Sequence, residues 1–327
     1  MAAATALSHP NIAFIKYWGN QDHELRIPSN GSISMNLAGL ETRTTVRFDP
    51  DLPADALTLN GSPAPPPALA RASSMLDRVR AMAGLDDRAS IHSANNFPTG
   101  AGIASSASAF AALALAASKA AGLDLNEAEL SRLARTGSGS ACRSIPGGFV
   151  EWRASASHED SFAYSFAPAN HWDLVDCVAV VSSAHKATGS TEGHAAAGSS
   201  PLQPARVLDA PRRLDLCRRA ILDRDFPAFA AIVEQDSHLM HAVMMTGSSA
   251  LLYWQPATLA VLHAVRLWRS EGLSACCTID AGPNVHVICT AAVAGVVEAR
   301  LRALAGVESV FTAKPGGPAR LIGRMDE

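Results

Sequence analysis

Pro98-Thr-Gly-Ala-Gly-Ile-Ala-Ser-Ser-Ala-Ser108 is the stretch on which the fold turns. Its two glycines let the backbone approach a ligand closely, and small residues then open a long helix rich in Ala, Ser and Leu, from Ala104 to Ala121. The free N–H groups and positive dipole end of such a helix form an anion site, with Ser105, Ser106 and Ser108 as hydroxyl donors at its mouth. No Lys follows the glycines, so this is not the G-x-x-x-x-G-K-[ST] loop of ordinary nucleotide hydrolases. Taken alone, the segment reads equally well as a phosphate loop and as a tight strand-to-helix turn capped by serines.

Working outward, Asn11 to Trp18 is a β-prone run ended by Gly19. Ser32–Leu37 and Thr42–Phe48 alternate with period two, as half-buried strands do. Pro63 to Pro67 reads as a surface connection, and Arg71 to Met82 has helical spacing in Met75, Leu76, Val79 and Met82. A strand beginning at Ile91 runs into Asn95-Asn-Phe-Pro98. Asn126 is an N-cap for a helix through Arg135, and Asp173 to Ser183 is apolar enough for a central strand. Helices are predicted at 202–222, 226–244 and 256–271. The end reads as strands at 275–280 and 284–290, a helix at 292–304, and strands at 308–312 and 319–323. Strand-rich and helix-rich stretches mix irregularly, which predicts α+β and not a repeating βαβ wheel.

The 327 residues can bury a substantial core, as one large domain or as two lobes around a cleft. A chain that is 48% hydrophobic and 17% charged, with a net charge of −3 and no long basic run, argues against disorder and against a nucleic-acid partner. The start lacks a basic region followed by a long apolar stretch, and the longest apolar run, Ala109 to Ala117, is far short of a membrane span. Cysteines 142, 177, 217, 276, 277 and 289 form no C-x-x-C pair and read as buried small hydrophobes in a reducing, cytoplasmic setting. Of eleven histidines only His238 and His241 have ligand spacing on a helix, and no carboxylate- or Cys-rich segment accompanies them.

The quoted loop resembles the P-x-x-x-G-L-x-S-S-A motif of the GHMP kinase superfamily, in which the loop wraps the phosphates of ATP. The extended run from Asn95 to Leu123 resembles the diphosphomevalonate decarboxylase family more narrowly. So do Asn11-Ile-Ala-Phe-Ile-Lys-Tyr-Trp-Gly19, Leu130-Ser-Arg-Leu-Ala-Arg135, Gly137-Ser-Gly-Ser-Ala-Cys-Arg-Ser144, Gly147-Gly-Phe-Val-Glu-Trp152, Ser190-Thr-Glu-Gly193 and Asp280-Ala-Gly-Pro-Asn284. The motifs lie in order along nearly the whole chain. The resemblance implies a GHMP kinase fold of class α+β: an N-terminal α/β ATP-binding lobe at 1–175, a C-terminal ferredoxin-like lobe at 176–327, and the active site in the cleft between them. It also implies a homodimer, ATP and Mg2+ as cofactors, and a phosphorylated mevalonate as substrate.

By itself Asp280 is an ordinary turn residue before Gly-Pro. The resemblance makes it the catalytic carboxylate that accepts the proton of the substrate C3 hydroxyl. Arg143 corresponds to the arginine that grips the substrate carboxylate, for which a planar guanidinium suits. Lys16 would assist this charge cluster, with Tyr17 as a wall; Trp18 fits a site wall and a core aromatic equally well. Gly19, Asn20, Ser138, Gly139, Ser140, Ala141, Cys142 and Thr191 complete the implied substrate site. Asn95, Gly100, Gly102, Ser105 and Ser106 would face ATP, with Ser106 toward the γ-phosphate. Magnesium follows from the triphosphate, and no metal-ligand cluster is legible.

The chain departs from the family pattern in two places. K-Y-W-G-K is usual, and its last Lys helps hold the substrate diphosphate; here the segment is Lys16-Tyr-Trp-Gly-Asn20, followed by Gln21. Asn donates hydrogen bonds to a phosphate but cannot balance its charge, which favours a mevalonate 5-phosphate substrate over the 5-diphosphate, unless a residue such as Lys186 compensates. His194 stands where Met usually follows S-T-E-G, and could add a donor or partial charge at the phosphate end. A kinase that stops at the 3-phosphate and a non-catalytic binding protein are the readings from other classes. Retention of Asp280, Arg143 and Ser106 together argues against the second.

Overall fold

In the computed structural model, which describes residues 3–97, 105–184 and 189–323, three main sheets carry the chain. The largest has the strand order Arg320–Ile322, Ala3–Ser8, Thr42–Asp49, Arg88–Asn95, Ala56–Leu59, Ser62–Pro63. Thr42–Asp49 is buried at alternate positions, as its period-two pattern predicts. Helices Pro66–Ala83 and Ser105–Ala120 cover one face of this sheet, and Glu127–Gly137 packs against both helices. On Ser105–Ala120 the fully buried Ala107, Ala111, Ala112, Ala114, Ala116 and Ala117 let the helix backbone settle close to the strands. Asn126 caps the next helix by accepting from the Glu129 N–H at 3.0 Å, while the Glu129 carboxylate accepts from the Asn126 N–H at 2.8 Å.

A second sheet runs Ala163–Ala167, Phe149–Trp152, Ser32–Asn36, Asn11–Ile15. Ser32–Asn36 is buried on both faces, where its alternation predicts half burial. Ile33 and Met35 enter the largest core, while the polar face carrying Ser32 is closed off because Arg143 lies against it. The third sheet is Ala275–Thr278, Val285–Thr290, Leu174–Val180, Ser309–Ala313. Counted within itself it has the order 2-3-1-4, all antiparallel, which is the ferredoxin-like arrangement. Leu174–Val180 is buried throughout, as befits a central strand.

Helix Phe226–Thr246 lies between the second and third sheets. The largest core joins Ile12, Phe14 and Met35 to Phe229, Val233, Cys276 and Ile288. The two halves are therefore tied through one core, and the last strand returns to pair with Ala3–Ser8.

The structure corrects several predicted boundaries. Helix Pro66–Ala83 begins five residues before Arg71, because Pro66 sits at its first turn, where a missing N–H is harmless. The helix predicted over 202–222 is two pieces, Gln203–Leu208 and Ala210–Asp223, with Pro211 just past the break. Among the described residues no helix is long and apolar enough to cross a membrane.

Candidate active site

Strand Asn11–Ile15 ends at Lys16 because side chains, and not a neighbouring strand, take the backbone groups of that residue. The Lys16 N–H donates to Asp236 Oδ2 at 2.6 Å, and its carbonyl accepts from Asn30 Nδ2 at 3.0 Å and Arg206 Nη2 at 2.7 Å. Asp236 in turn accepts from Arg213 Nε at 2.7 Å. With its backbone pinned, Lys16 extends to Asp280, and Nζ meets Oδ1 at 2.5 Å. Lys16 is 1% exposed while the Asp280 side chain is 29% exposed, so the pair opens on the carboxylate side.

Burial would push the Asp280 carboxyl up, but the charges of Lys16, His286 and Arg143 together hold it below the usual carboxylate range. Burial drives the Lys16 ammonium below its ordinary value against the pull of Asp280. His286 is buried on the strand that follows the Asp280 turn and shares a 2.6 Å hydrogen bond with the buried Asp176. Burial favours neutral imidazole there, yet Asp176 raises it above its ordinary value overall.

Arg143 is 3% exposed and held in a polar cradle. Nε and Nη2 donate to Asn11 Oδ1 at 3.2 and 3.0 Å, and Nη1 donates to Ser32 Oγ at 2.6 Å. Asn11 is oriented by donating through Nδ2 to Ser144 Oγ and the Ser140 carbonyl. Among the described residues Arg143 has no ion-pair partner, so its charge is available to an anion. The distances show Asp280 and Lys16 in direct contact, and the Arg143 charge acts on both.

The aromatic ledge after Lys16 comes next. The Tyr17 hydroxyl donates to Asn20 Oδ1, which occupies the acceptor end of the Asn20 side chain. Tyr17 stacks on His194 with ring centroids 4.1 Å apart, and Trp18 meets the same ring at 4.6 Å. Gly19 has a φ of +91°, and a Cβ there would meet Gln203 Nε2 at 2.7 Å, so glycine is required on both counts. The Gly19 N–H donates to His194 Nδ1 at 3.0 Å, which fixes the proton on Nε2. Burial, followed by the charges of Arg26, Arg206 and Arg143, pushes the His194 imidazole down to about 3. With Nδ1 accepting from Gly19 and protonation disfavoured by burial, the donor is the one of its two roles that this arrangement favours.

Gly139 packs against the Tyr17 ring, where a Cβ would sit 2.5 Å from Cε1. Ser138 Oγ lies 3.3 Å from Ser106 Oγ, joining the small-residue segment to the mouth of helix Ser105–Ala120. The Ala141 and Cys142 side chains are fully buried and build the core beneath that segment. Thr191 is exposed on helix Ser190–Ala196, and Trp18 is buried in a small cluster with Met240, Val243 and Met244. Gly100, Gly102 and Lys186 lie outside the described residues.

Asn95, Ser105 and Ser106 come together in the wall of a cavity of about 230 Å³ that also takes in Leu57, Arg71 and Phe110. Arg71 lies over the Phe110 ring at 4.8 Å, and its Nη2 donates to the Gly137 carbonyl at 2.9 Å. Its Nε is buried without a partner among the described residues. Asn11, Asn30, Ser32, Arg71, Arg206 and Asp236 had no sequence signal of their own. Asn11 alone lies inside a quoted motif, and buried arginines on amphipathic helices look like surface arginines until the fold is known.

An α+β chain of this topology, with a small-residue helix mouth beside a buried Lys–Asp pair and a cradled arginine, has the architecture of the GHMP kinases. Residues 8–163 match the diphosphomevalonate decarboxylase-like N-terminal domain and residues 177–314 the mevalonate 5-diphosphate decarboxylase C-terminal domain. The phosphomevalonate decarboxylase of Haloferax volcanii is 36% identical over 98% of this chain and 97% of its own. The solved mevalonate diphosphate decarboxylase of Staphylococcus aureus is 35% identical, covers 98% of each chain and gives a TM-score of 0.93. A solved complex of MDDEF with MVAPP, AMPPCP and magnesium gives 0.93 at 35% identity, covering 98% of this chain and 99% of that one. This chain belongs to the diphosphomevalonate decarboxylase family of the GHMP kinase superfamily.

Proposed function

We propose that this chain decarboxylates mevalonate 5-phosphate in an ATP-dependent reaction, giving isopentenyl phosphate, ADP, phosphate and CO2. The family and the Lys16–Asp280 contact at 2.5 Å support the chemistry. Asn20 carries the choice of monophosphate over diphosphate: its Oδ1 is taken by Tyr17, and what remains for the substrate is an uncharged amide. The Haloferax volcanii relative, named a phosphomevalonate decarboxylase, supports the same choice. Diphosphomevalonate decarboxylation is the second reading, favoured by the names of the matched C-terminal domain and the Staphylococcus aureus relative.

In this reading the substrate lies between residues 1–175 and 176–327. Asp280 accepts the C3 hydroxyl proton as the hydroxyl oxygen attacks the γ-phosphorus of ATP and ADP departs. Lys16 keeps Asp280 ionised and fixed. Arg143 binds the substrate carboxylate. The C3–O bond then breaks with its electron pair leaving on phosphate, and the C1–C2 pair becomes the C2=C3 double bond as CO2 departs. Asp280 and its neighbours oppose the charge developing at C3. The cavity walled by Asn95, Ser105, Ser106 and Arg71 takes ATP, to which the Arg71 Nε, without a partner among the described residues, is suited. Magnesium would travel on the triphosphate and neutralise the transferring phosphoryl group. The MDDEF complex with AMPPCP and magnesium supports both cofactors. The reading extends to a cytoplasmic homodimer, for which light scattering would show twice the 34.1 kDa chain mass.

The test gives purified protein ATP, magnesium and either ester, with ADP and CO2 followed together. The monophosphate should show the higher kcat/KM by about ten- to a hundredfold, the worth of one charge-assisted hydrogen bond. Asn20→Lys should move the preference toward the diphosphate. A strong preference of the unmodified protein for the diphosphate restores the second reading, and ADP release without CO2 makes the chain a 3-kinase.

A further inference from the structure

The hairpin that begins with Asn20 carries a cation on its return side. Strands Asn20–Asp22 and Ile27–Pro28 pair with Asn20 opposite Pro28 and Asp22 opposite Ile27. Arg26 stands immediately before the return strand with a φ of +52°, in the left-handed region that residues other than glycine uncommonly adopt. Its Nε donates to the Thr136 carbonyl at 3.0 Å. Thr136 is next to the last residue of helix Glu127–Gly137, whose carbonyl end favours a cation. The same helix runs directly into Ser138 and Gly139, and Gly139 packs on the Tyr17 ring. The guanidinium is thus fastened to the frame that holds Tyr17 and Asn20.

Two observations point to an anion there. Among the described residues the Nε contact is the only hydrogen bond Arg26 makes, and no carboxylate lies within ion-pair distance of it. Its charge is also the strongest single influence, after burial, on both the Tyr17 hydroxyl and the His194 ring. Those two groups flank Asn20 and Gly19. A half-buried arginine at this spot with no carboxylate repels other cations and attracts whatever anion reaches the ledge.

We propose that Arg26 binds the 5-phosphate of the substrate, supplying from the return strand of the hairpin the charge that Asn20 does not supply from the first. This rests on the reading that the ester end of a phosphorylated mevalonate lies on the Tyr17–Asn20 ledge. One guanidinium fork, the Asn20 amide and the His194 Nε2–H then face a single phosphate group. The residue is a specificity determinant and takes no part in proton or phosphoryl transfer.

The experiment compares the unmodified enzyme with Arg26→Gln, Arg26→Lys and Asn20→Lys/Arg26→Gln, measuring KM and kcat for each ester and KM for ATP. Arg26→Gln should raise KM for mevalonate 5-phosphate by about ten- to a hundredfold, with kcat falling far less and KM for ATP within about twofold. Arg26→Lys should recover part of the loss. Asn20→Lys should lower the raised KM of Arg26→Gln, because it returns a cation to the opposite strand, which a merely structural role for Arg26 does not allow. An unchanged KM for both esters in Arg26→Gln overturns the proposal, as does a rise confined to ATP or a double variant no better than the single. If the unmodified protein prefers the diphosphate, the monophosphate reading fails, and Arg26 is still judged by its effect on KM for that ester.

Discussion

Replacing Asp280 by Asn should do two separable things, and a second substitution tells them apart. Lys16 is 1% exposed, and among the described residues Asp280 is the carboxylate that meets its ammonium. Removing one member of a fully buried ion pair costs about 3–5 kcal/mol, because the other charge is left without compensation. The Asp280 side chain is 29% open to the cleft, where water screens part of that, so about 1–3 kcal/mol is expected for Asp280→Asn. Lys16→Met/Asp280→Asn removes the stranded ammonium and should recover at least about 1 kcal/mol relative to the sum of the single variants. Turnover should fall by about 10²–10⁴ in Asp280→Asn and stay down in the double variant, since a restored fold does not restore a base. Because the folded Asp280 carboxyl lies below its ordinary value, the pair's contribution is present above the ordinary carboxylate range and fades as acid approaches the folded value. Urea midpoints near neutral pH, with ADP and CO2 release measured on the same samples, make the comparison. Stabilities that add to within about 0.5 kcal/mol would refute the coupling, and full turnover in Asp280→Asn would refute proton abstraction.

Two further outcomes follow from the ledge. Gly139→Ala forces the Tyr17 ring away, because the new Cβ would lie 2.5 Å from Cε1 and 2.6 Å from the hydroxyl oxygen. The Tyr17–Asn20 bond should be lost and KM for the ester should rise by about tenfold, with KM for ATP little changed; an unaltered ester KM counts against the ledge as the phosphate end. His194, held down to about 3, refuses a proton that the unfolded chain takes up near its ordinary value of about 6.5. Its contribution is complete above that pH and declines as pH falls from there toward 3, so the drop in Tm between pH 7.5 and 5 should be smaller in His194→Met; an equal drop shows that the ring is accessible to protons.

How much of this was legible in the sequence depended on how local the cause was. The Asn126 cap, the alternation of Thr42–Asp49 and the small face of Ser105–Ala120 are set by neighbours within a few residues, and the structure has them as expected. Ser32–Asn36 misled because alternation reports polarity and not exposure: its polar side faces Arg143, 111 residues away, and is buried with it. Asp280, Arg143 and Lys16 were singled out because family motifs mark them, and no local pattern distinguishes Asp280 from any other turn carboxylate. Asp236, Arg206 and Arg213 were missed for the opposite reason. They sit on the helices Gln203–Leu208, Ala210–Asp223 and Phe226–Thr246, and a charged residue on a helix ordinarily marks its solvent face.

Those buried charges tie the strand end to the C-terminal half of the chain. Lys16 has its N–H, its carbonyl and its ammonium each held by residues from Asn30 or the C-terminal half, so the strand end, helix Phe226–Thr246 and the Asp280 turn cannot shift independently. The balance of charge is uneven. Lys16, Arg143, Arg206 and Arg213 are four cations, against the three carboxylates of Asp209, Asp236 and Asp280 that touch them. The uncompensated cation among the described residues is Arg143, whose guanidinium meets the neutral Asn11, Ser32 and the Trp152 ring. Arg26 and Arg71 extend the surplus toward the ledge and toward the cavity, each fastened to one of the consecutive carbonyls of Thr136 and Gly137. A small anionic substrate with a carboxylate at one end and a phosphate at the other, beside a nucleotide, matches that surplus cation by cation. In the proposed reading Arg143 meets the carboxylate, Arg26 the phosphate and Arg71 the nucleotide, and the Lys16–Asp280 pair stands without net charge beside the C3 hydroxyl.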